Sequence, residues 1–289
     1  MSSFSFLTYK YKTINLSDVF LGTQNWFFKR YLDGKNYSID NPVFFDSYWN
    51  SLEDMDFAYE KLIEDEQIAA KTQKFAWSPK LGYLAPTLSS CGTGLKVNVS
   101  FHLLGSYLMG ELDAIKESLK AMRFNILKLD CDDAGQFYAI ENDSSFGIDT
   151  HSLYQRIREV IINIATAEAC SRYTLLKSKT SPLSDYTHRN LAIARNCRLM
   201  SRQELMDIFS AFRLASQLKL IKLPNPNNLE RVMQTALGCE CAFMEEFGLN
   251  IAKSQSNAEL FKNPVFLATI LRDYSKSIKF TALGKKVLQ

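Results

Sequence analysis

Histidine is scarce in this chain, with three in 289 residues, and the six cysteines form no paired CxxC framework. Tetrahedral zinc sites draw on clustered Cys and His, so a zinc centre is not expected. Cys239-Glu240-Cys241 offers half of such a site, and no second half is visible. The cysteines at 91, 131, 170, 197, 239 and 241 read as reduced thiols, because a chain of this length needs no disulfide staples. No apolar run approaches the ~20 residues that span a bilayer. The opening Met-Ser-Ser-Phe-Ser-Phe-Leu lacks a basic n-region and a cleavage site. A cytoplasmic protein without membrane contact is the expectation. Charge of one sign is also lacking. The net value is +3 and the basic residues are scattered, which leaves nucleic-acid binding without an electrostatic footing.

What remains is globular. Hydrophobic residues make up 46% and aromatics 12%, enough for a sizeable core. Residues 1–50 form an aromatic-rich segment (Trp26, Phe27, Phe28, Tyr31, Phe44, Phe45, Tyr48, Trp49) that reads as irregular, with turn signals at Asp33-Gly34 and Asn41-Pro42. From Leu52 to about Thr72 the apolar spacing is helical. Further helices are expected at 111–122, 152–176 and 185–196. Strands are expected at 124–129 and 136–141, joined by the acidic link Asp130-Cys131-Asp132-Asp133. Ser201-Arg202-Gln203-Glu204 is a capping box opening a helix to Leu218. Pro224 and Pro226 break the chain, and helices are expected near 229–237, 239–252 and 264–279. The last has Asn263 as cap and Pro264 in its first turn. Strands precede helices, which predicts an α+β core over 51–225 and a helical C-terminal region over 226–289.

The most informative stretch runs from Leu81 to His102. A small-residue loop, rich in hydroxyls and glycine, leads into strict alternation. Val97, Val99, Phe101 and Leu103 fall on one face, and Lys96, Asn98, Ser100 and His102 on the other. Gly92-Thr93-Gly94 permits close approach of backbone N–H groups to an anion, and Lys96 adds a point charge of the right sign for phosphate. An edge strand after a glycine turn is the plainer alternative.

The order Gly82-Tyr83-Leu84, then Gly92-Thr93-Gly94-Leu95 at matching spacing, resembles the nucleotide-side loop of the guanidino kinases. Their motif runs approximately G-Y-L-T-S-C-P-T-N-x-G-T-G-L-R before a strand. The bacterial protein-arginine kinases resemble it best, since their strand also carries a His where His102 stands. Phe124–Gly147 is similar to the family's strand, specificity loop and strand, and Asp185–Ile221 to a closing helical segment. The resemblance covers roughly residues 50–225. It implies an antiparallel sheet flanked by helices, as in guanidino-kinase or glutamine-synthetase-like catalytic domains. ATP with Mg²⁺ is implied where the nucleotide site is retained. The implied nucleotide contacts are Gly92, Thr93, Gly94, Lys96, His102 and Lys128. Asp130, Asp132 and Asp133 are candidates for holding Mg²⁺ or a guanidinium. Arg272 and Asp273, with Lys276 and Ser277, are similar to an R-D-x-x-R-A phosphoarginine-recognition motif.

The departures from the pattern bear on chemistry. Lys96 stands where the family has a phosphate-binding arginine, Thr87 where it has its reactive cysteine, and Ser90 where it has an asparagine. Upstream, Leu21–Asn25 and Ser38–Pro42 are the nearest echoes of an S-R-x-R-L-A-R-N cluster and an N-E-E-D-H catalytic glutamate. Phosphate ligands are worth ~2–4 kcal/mol each in the transition state. The expectation is therefore a degenerate guanidino-kinase-fold protein, catalytically impaired and serving binding or regulation linked to protein-arginine phosphorylation. An active protein-arginine kinase and a structural interaction subunit are the alternatives. The resemblance implies a zinc-binding activator and an unfoldase–protease complex as partners. An arginine-containing client and a homo-oligomer complete the expectations.

Overall fold

Leu95–His102 builds the centre of the fold, with Leu95, Val97, Val99 and Phe101 buried on one face and Lys96 and His102 buried at the two ends of the other. The computed structural model describes residues 15–35, 37–38, 42–129, 135–177, 182–224, 229 and 263–288. After a short 3-10 turn at Leu16–Val19, β1 (Gln24–Arg30) and β2 (Val43–Trp49) precede α1 (Leu52–Thr72). Two short strands, β3 (Trp77–Ser78) and β4 (Gly82–Tyr83), lead to β5 (Leu95–His102), α2 (Leu104–Leu108) and α3 (Leu112–Ala121). Then come β6 (Phe124–Lys128), β7 (Phe137–Asn142), α4 (Thr150–Lys177), α5 (Pro182–Asn196), α6 (Arg202–Gln217) and β8 (Ile221–Lys222). α7 (Pro264–Lys276), β9 (Lys279–Phe280) and α8 (Ala282–Leu288) close the described chain.

Five strands form one sheet in the order β2-β1-β5-β7-β6, every pairing antiparallel. This is an α+β fold with an antiparallel sheet flanked by helices. One sheet face packs on α1 and α4: Trp26, Phe28, Val97, Val99, Phe101 and Ile140 are all buried there. The Trp26 indole N–H donates to the Met55 carbonyl at 3.1 Å, and the Tyr59 and Tyr154 rings stack 3.7 Å apart beside it. Each such large side chain contributes about 1.5–3 kcal/mol by leaving water.

The helices start where the chain supplies caps. The Ser51 hydroxyl accepts from the Asp54 N–H, and Leu52, Met55, Ala58, Tyr59 and Leu62 of α1 form its buried stripe. Ser201 and Glu204 complete a capping box at α6. The Asn263 side chain accepts from the Val265 and Phe266 N–H groups at α7, with Pro264 in the first turn. α4 carries a fully buried ion pair, Arg172 with Glu168 at 2.7 Å, and the same carboxylate accepts from the Gly105 and Ser106 N–H groups at 2.8 Å. Among the described residues no helix is long and apolar enough to cross a membrane.

The aromatic-rich segment is not irregular throughout. It supplies β1 and β2, and β1 lies inside the sheet between β2 and β5. Its period of two is hidden because β1 turns Gln24 and Arg30 inward with Trp26 and Phe28, while Phe27 faces the other way. The expected helices at 229–237 and 239–252, and Cys239-Glu240-Cys241 with them, fall outside the described residues apart from Leu229.

Candidate functional site

The second face of the sheet is open over much of its area. Tyr48, Asn25, Asn98, Glu141 and Asn125 stand opposite one another in a single row across all five strands. Each is exposed or half-buried. The next row runs Asp46, Phe27 and Lys96. Lys29 and Phe44 follow as a cross-strand pair, with the ammonium 5.5 Å from the ring centroid. At the other end α6 covers the face: the His102 ring stacks on Phe137, and its Nε2 lies 2.8 Å from the Ser210 hydroxyl.

Gly92-Thr93-Gly94 leads onto this face, and its glycines serve close approach of chain to chain. Gly92 has φ +98°, and a Cβ there would fall 2.5 Å from the Ser145 carbonyl oxygen. Gly94 has φ +73°, and a Cβ would meet Arg30 Cγ and the Lys29 oxygen, each at 3.0 Å. Two of the loop's backbone donors, at 92 and 93, are engaged inside the protein. The Gly92 N–H donates to the Tyr83 carbonyl at 3.1 Å and the Thr93 N–H to the Ser145 carbonyl at 3.3 Å. The Thr93 hydroxyl accepts from the Leu95 N–H, and the Thr93 carbonyl accepts from Arg30 Nε at 2.9 Å.

Lys96 is buried as well. Its ammonium donates to the carbonyls of Asn142 at 2.8 Å and Asp143 at 3.0 Å, closing the end of β7. Burial pushes its pKa below the ordinary lysine value, with Glu141 and Asp143 working against that shift. His102 is fully buried; burial, then the charges of Arg172 and Arg213, hold it well below the usual histidine range. Lys128 lies on the helix-packed side of the sheet, its ammonium 5.7 Å from the Tyr138 ring centroid. Arg272 Nη1 donates to the Cys197 carbonyl at 2.7 Å, and Asp273 pairs with Lys276 on the exposed side of α7. Asp130, Asp132 and Asp133 fall outside the described residues.

The structure thus brings Gly92, Thr93, Gly94 and Lys96 together and separates them from His102, Lys128, Arg272 and Asp273. Thr87 and Ser90 hydrogen-bond each other at 2.8 Å, and the buried Cys91 thiol donates to the Thr87 carbonyl at 3.5 Å. The open face adds residues that the sequence reading passed over: Asn25, Lys29, Asp46 and Glu141. Alternation in β2 was the available signal, since Phe44, Asp46 and Tyr48 are exposed while Ser47 and Trp49 are buried. Asp46 accepts from the Tyr48 hydroxyl at 2.7 Å. Asp46 and Glu141 sit three strand spacings apart, about 14 Å between backbones at ~4.8 Å per strand. That exceeds the reach of one guanidinium between two short carboxylates.

Among the described residues no group of three His, Cys, Asp or Glu is placed to hold a metal ion. Among the described residues, three donors suited to a clamp on Mg-nucleotide phosphates point into the protein. Such a clamp needs several donors aimed outward, and here the loop N–H groups at 92 and 93 and the Lys96 ammonium are bonded to carbonyls.

Comparison with known proteins finds the following similarities. Residues 46–171 match the ATP:guanido phosphotransferase, C-terminal catalytic domain family. A protein-arginine kinase of Exiguobacterium sp. is 25% identical over 206 residues, covering 70% of this chain and 58% of that protein. One of Clostridium kluyveri is 24% identical over 171 residues, covering 58% of this chain and 50% of that protein. The chain therefore spans between half and three-fifths of the length of these relatives. Among solved structures, the substrate-free duplicated taurocyamine kinase from Schistosoma mansoni is 12% identical with a TM-score of 0.43, covering 71% of this chain and 40% of that one.

Proposed function

We propose that the chain, whose residues 46–171 match the ATP:guanido phosphotransferase catalytic-domain family, is a catalytically impaired member that binds rather than phosphorylates. One observation carries this reading. Three of the donors that the sequence resemblance assigns to nucleotide phosphate, the loop N–H groups at 92 and 93 and the Lys96 ammonium, are committed to carbonyls of Tyr83, Ser145, Asn142 and Asp143. Redirecting Lys96 to phosphate leaves two carbonyls without their charged donor, at about 1.5–3 kcal/mol for each bond. The family's bidentate arginine is also replaced here by a point charge.

The open sheet face is then a recognition surface, with Asn25, Asn98, Asp46 and Glu141 as its hydrogen-bonding groups and Phe44 and Tyr48 as exposed rings. Similarity to protein-arginine kinases makes an arginine-containing protein client the favoured partner, and the cytoplasm the proposed setting. A second reading, an active kinase, draws on Asp46, Glu141 and Lys29 lying on the same face. Incubation of the purified chain with Mg-ATP and an arginine-rich protein, read by mass spectrometry, separates the two. The proposal expects no phosphoarginine. Phosphoarginine that disappears in Lys96→Ala installs the active kinase instead.

A further inference from the structure

Lysines that lie scattered along the sequence gather at one place in the fold. Residues 218–224 and 263–289 together carry seven basic side chains and one acidic. The whole chain is only +3, so the remainder is net negative. Such asymmetry points to a partner of opposite charge.

The scaffold is the two-stranded ribbon of β8 and β9, which stands apart from the five-stranded sheet. Ile221 pairs with Phe280 on its inner side, where Ile221 is buried and the Phe280 ring lies 5.1 Å from that of His188. Lys222 and Lys279 are cross-strand partners on the outer side, and both are exposed. Like charges directly opposite each other weaken a strand pair unless an anion joins them. Thr281 alone separates β9 from α8, which adds the exposed Lys285 and Lys286. The junction is braced. The Thr281 N–H donates to the Leu220 carbonyl at 3.0 Å and its hydroxyl to the Lys219 carbonyl at 2.6 Å. The Gly284 N–H donates to the same hydroxyl at 2.9 Å, and a Cβ at Gly284 would run into the Leu220 carbonyl.

Among the described residues none of Lys222, Lys279, Lys285 and Lys286 has an acidic partner. The neighbouring cations are engaged: Lys276 pairs with Asp273, Lys219 acts on the Asp18 carboxyl, and Arg195 and Arg272 donate to the Ile278 and Cys197 carbonyls. Composition then selects among polyanions. Nucleic acids favour arginine forks and rings for stacking, but these arginines are occupied and the Phe280 ring is half-buried. A bilayer calls for apolar insertion, and Leu283 is the one large apolar side chain exposed on the described part of α8. Carboxylates along a polypeptide suit separate ammoniums, because each can meet its own lysine as a point charge.

We propose that the β8–β9 ribbon and α8 form a docking surface for an acidic polypeptide segment of a partner protein. Lys222, Lys279, Lys285 and Lys286 are its charged contacts. The surface lies outside the five-stranded sheet and does not depend on whether the chain is catalytically impaired.

The test is fluorescence anisotropy of a labelled hexaglutamate peptide titrated with the full chain, with hexaglutamine as the neutral control. Saturable binding of hexaglutamate is expected at about 20 mM salt, at least about tenfold weaker at about 200 mM, with none for hexaglutamine. One variant combines Lys222→Gln, Lys279→Gln, Lys285→Gln and Lys286→Gln, and is expected to bind at least about tenfold more weakly. A second combines Lys61→Gln, Lys71→Gln, Lys74→Gln and Lys80→Gln, which removes the same charge from exposed positions elsewhere and should keep most of the affinity. No binding of hexaglutamate, equal binding of hexaglutamine, or equal losses in the two variants overturns the proposal. If the first variant fails to fold, NMR shifts on adding the peptide to the native chain decide instead. Shifts at Lys222 and Lys279 support the contact, and shifts confined to other surfaces overturn it. A seven-nucleotide RNA, of equal charge, and phosphatidylglycerol vesicles probe the other polyanions. Binding of either as tight as the peptide's, and lost in the first variant, overturns the proposal; weaker binding supports it.

Discussion

Arg30 Nε donates to the carbonyl oxygen of Thr93 at 2.9 Å, tying the inner strand β1 to the glycine loop from behind. Lys96 fastens the same region from in front by bonding the last carbonyls of β7. The loop is thus held between two buried cations, each engaged with backbone oxygen. A segment whose spacing suits phosphate is here a structural crossing point of β1, β5 and the 142–145 turn.

Lys96→Met tests that role. The variant keeps most of the side-chain volume and removes both donors. A loss of about 2–4 kcal/mol is expected in urea unfolding, since two charge-assisted bonds vanish and buried carbonyls are left without them. A change below half a kilocalorie would show that Lys96 is not a structural tie.

Gly92→Ala and Gly147→Ala form a matched pair. Both positions have positive φ, +98° and +77°, so each substitution carries a backbone cost of about 1–2 kcal/mol. Only at Gly92 does the new Cβ run into backbone, the Ser145 oxygen at 2.5 Å, whereas nothing lies within 4 Å at Gly147. Overpacking adds roughly 1–3 kcal/mol. Thermal melts should therefore place Gly92→Ala well below Gly147→Ala; equal melting temperatures would refute the close approach.

His102 predicts a pH dependence. Burial and the neighbouring arginine charges keep it neutral in the fold. The unfolded chain takes up a proton as pH falls through about 6.5 while the folded one does not, so stability is lost on acidification below that point. Between pH 7.5 and 5.5 this contributes a loss of about 1.4 kcal/mol. His102→Gln should flatten the profile by that amount over that window. An unchanged slope in the variant would mean the imidazole takes up its proton in the fold as readily as in the unfolded chain.

Glu168→Gln probes the buried pair on α4. The carboxylate answers Arg172 and the Gly105 and Ser106 N–H groups, all inside the core. Removing its charge leaves Arg172 buried without its counterion, a change that costs about 3–5 kcal/mol. Denaturant unfolding of the two proteins measures it, and a loss under 1 kcal/mol would contradict the pairing.

Much of this architecture was legible in the residues. The alternation of Val97, Val99 and Phe101 set β5, the spacing of Leu52, Met55, Ala58 and Leu62 set α1, and Ser201 with Glu204 set the start of α6. The family resemblance rested on an ordered run of glycines whose spacing survived, and the comparisons bear it out. β1 was hidden because its inward face mixes Gln24 and Arg30 with Trp26 and Phe28, a pattern in which polarity does not report burial. The open face was hidden with it, since Asn25, Lys29 and Asp46 come from strands that read as irregular. What the loop's N–H groups bond to could not be read at all: a glycine shows that close approach is permitted, not whether an anion or another stretch of chain approaches.

Calorimetric titration of the full chain with Mg-ADP tests the central claim most directly. With the loop N–H groups at 92 and 93 and the Lys96 ammonium committed to backbone carbonyls, no heat of binding is expected up to millimolar ligand. Micromolar binding that is lost in Lys96→Ala would contradict the account, because it would show that the ammonium leaves the Asn142 and Asp143 carbonyls for phosphate.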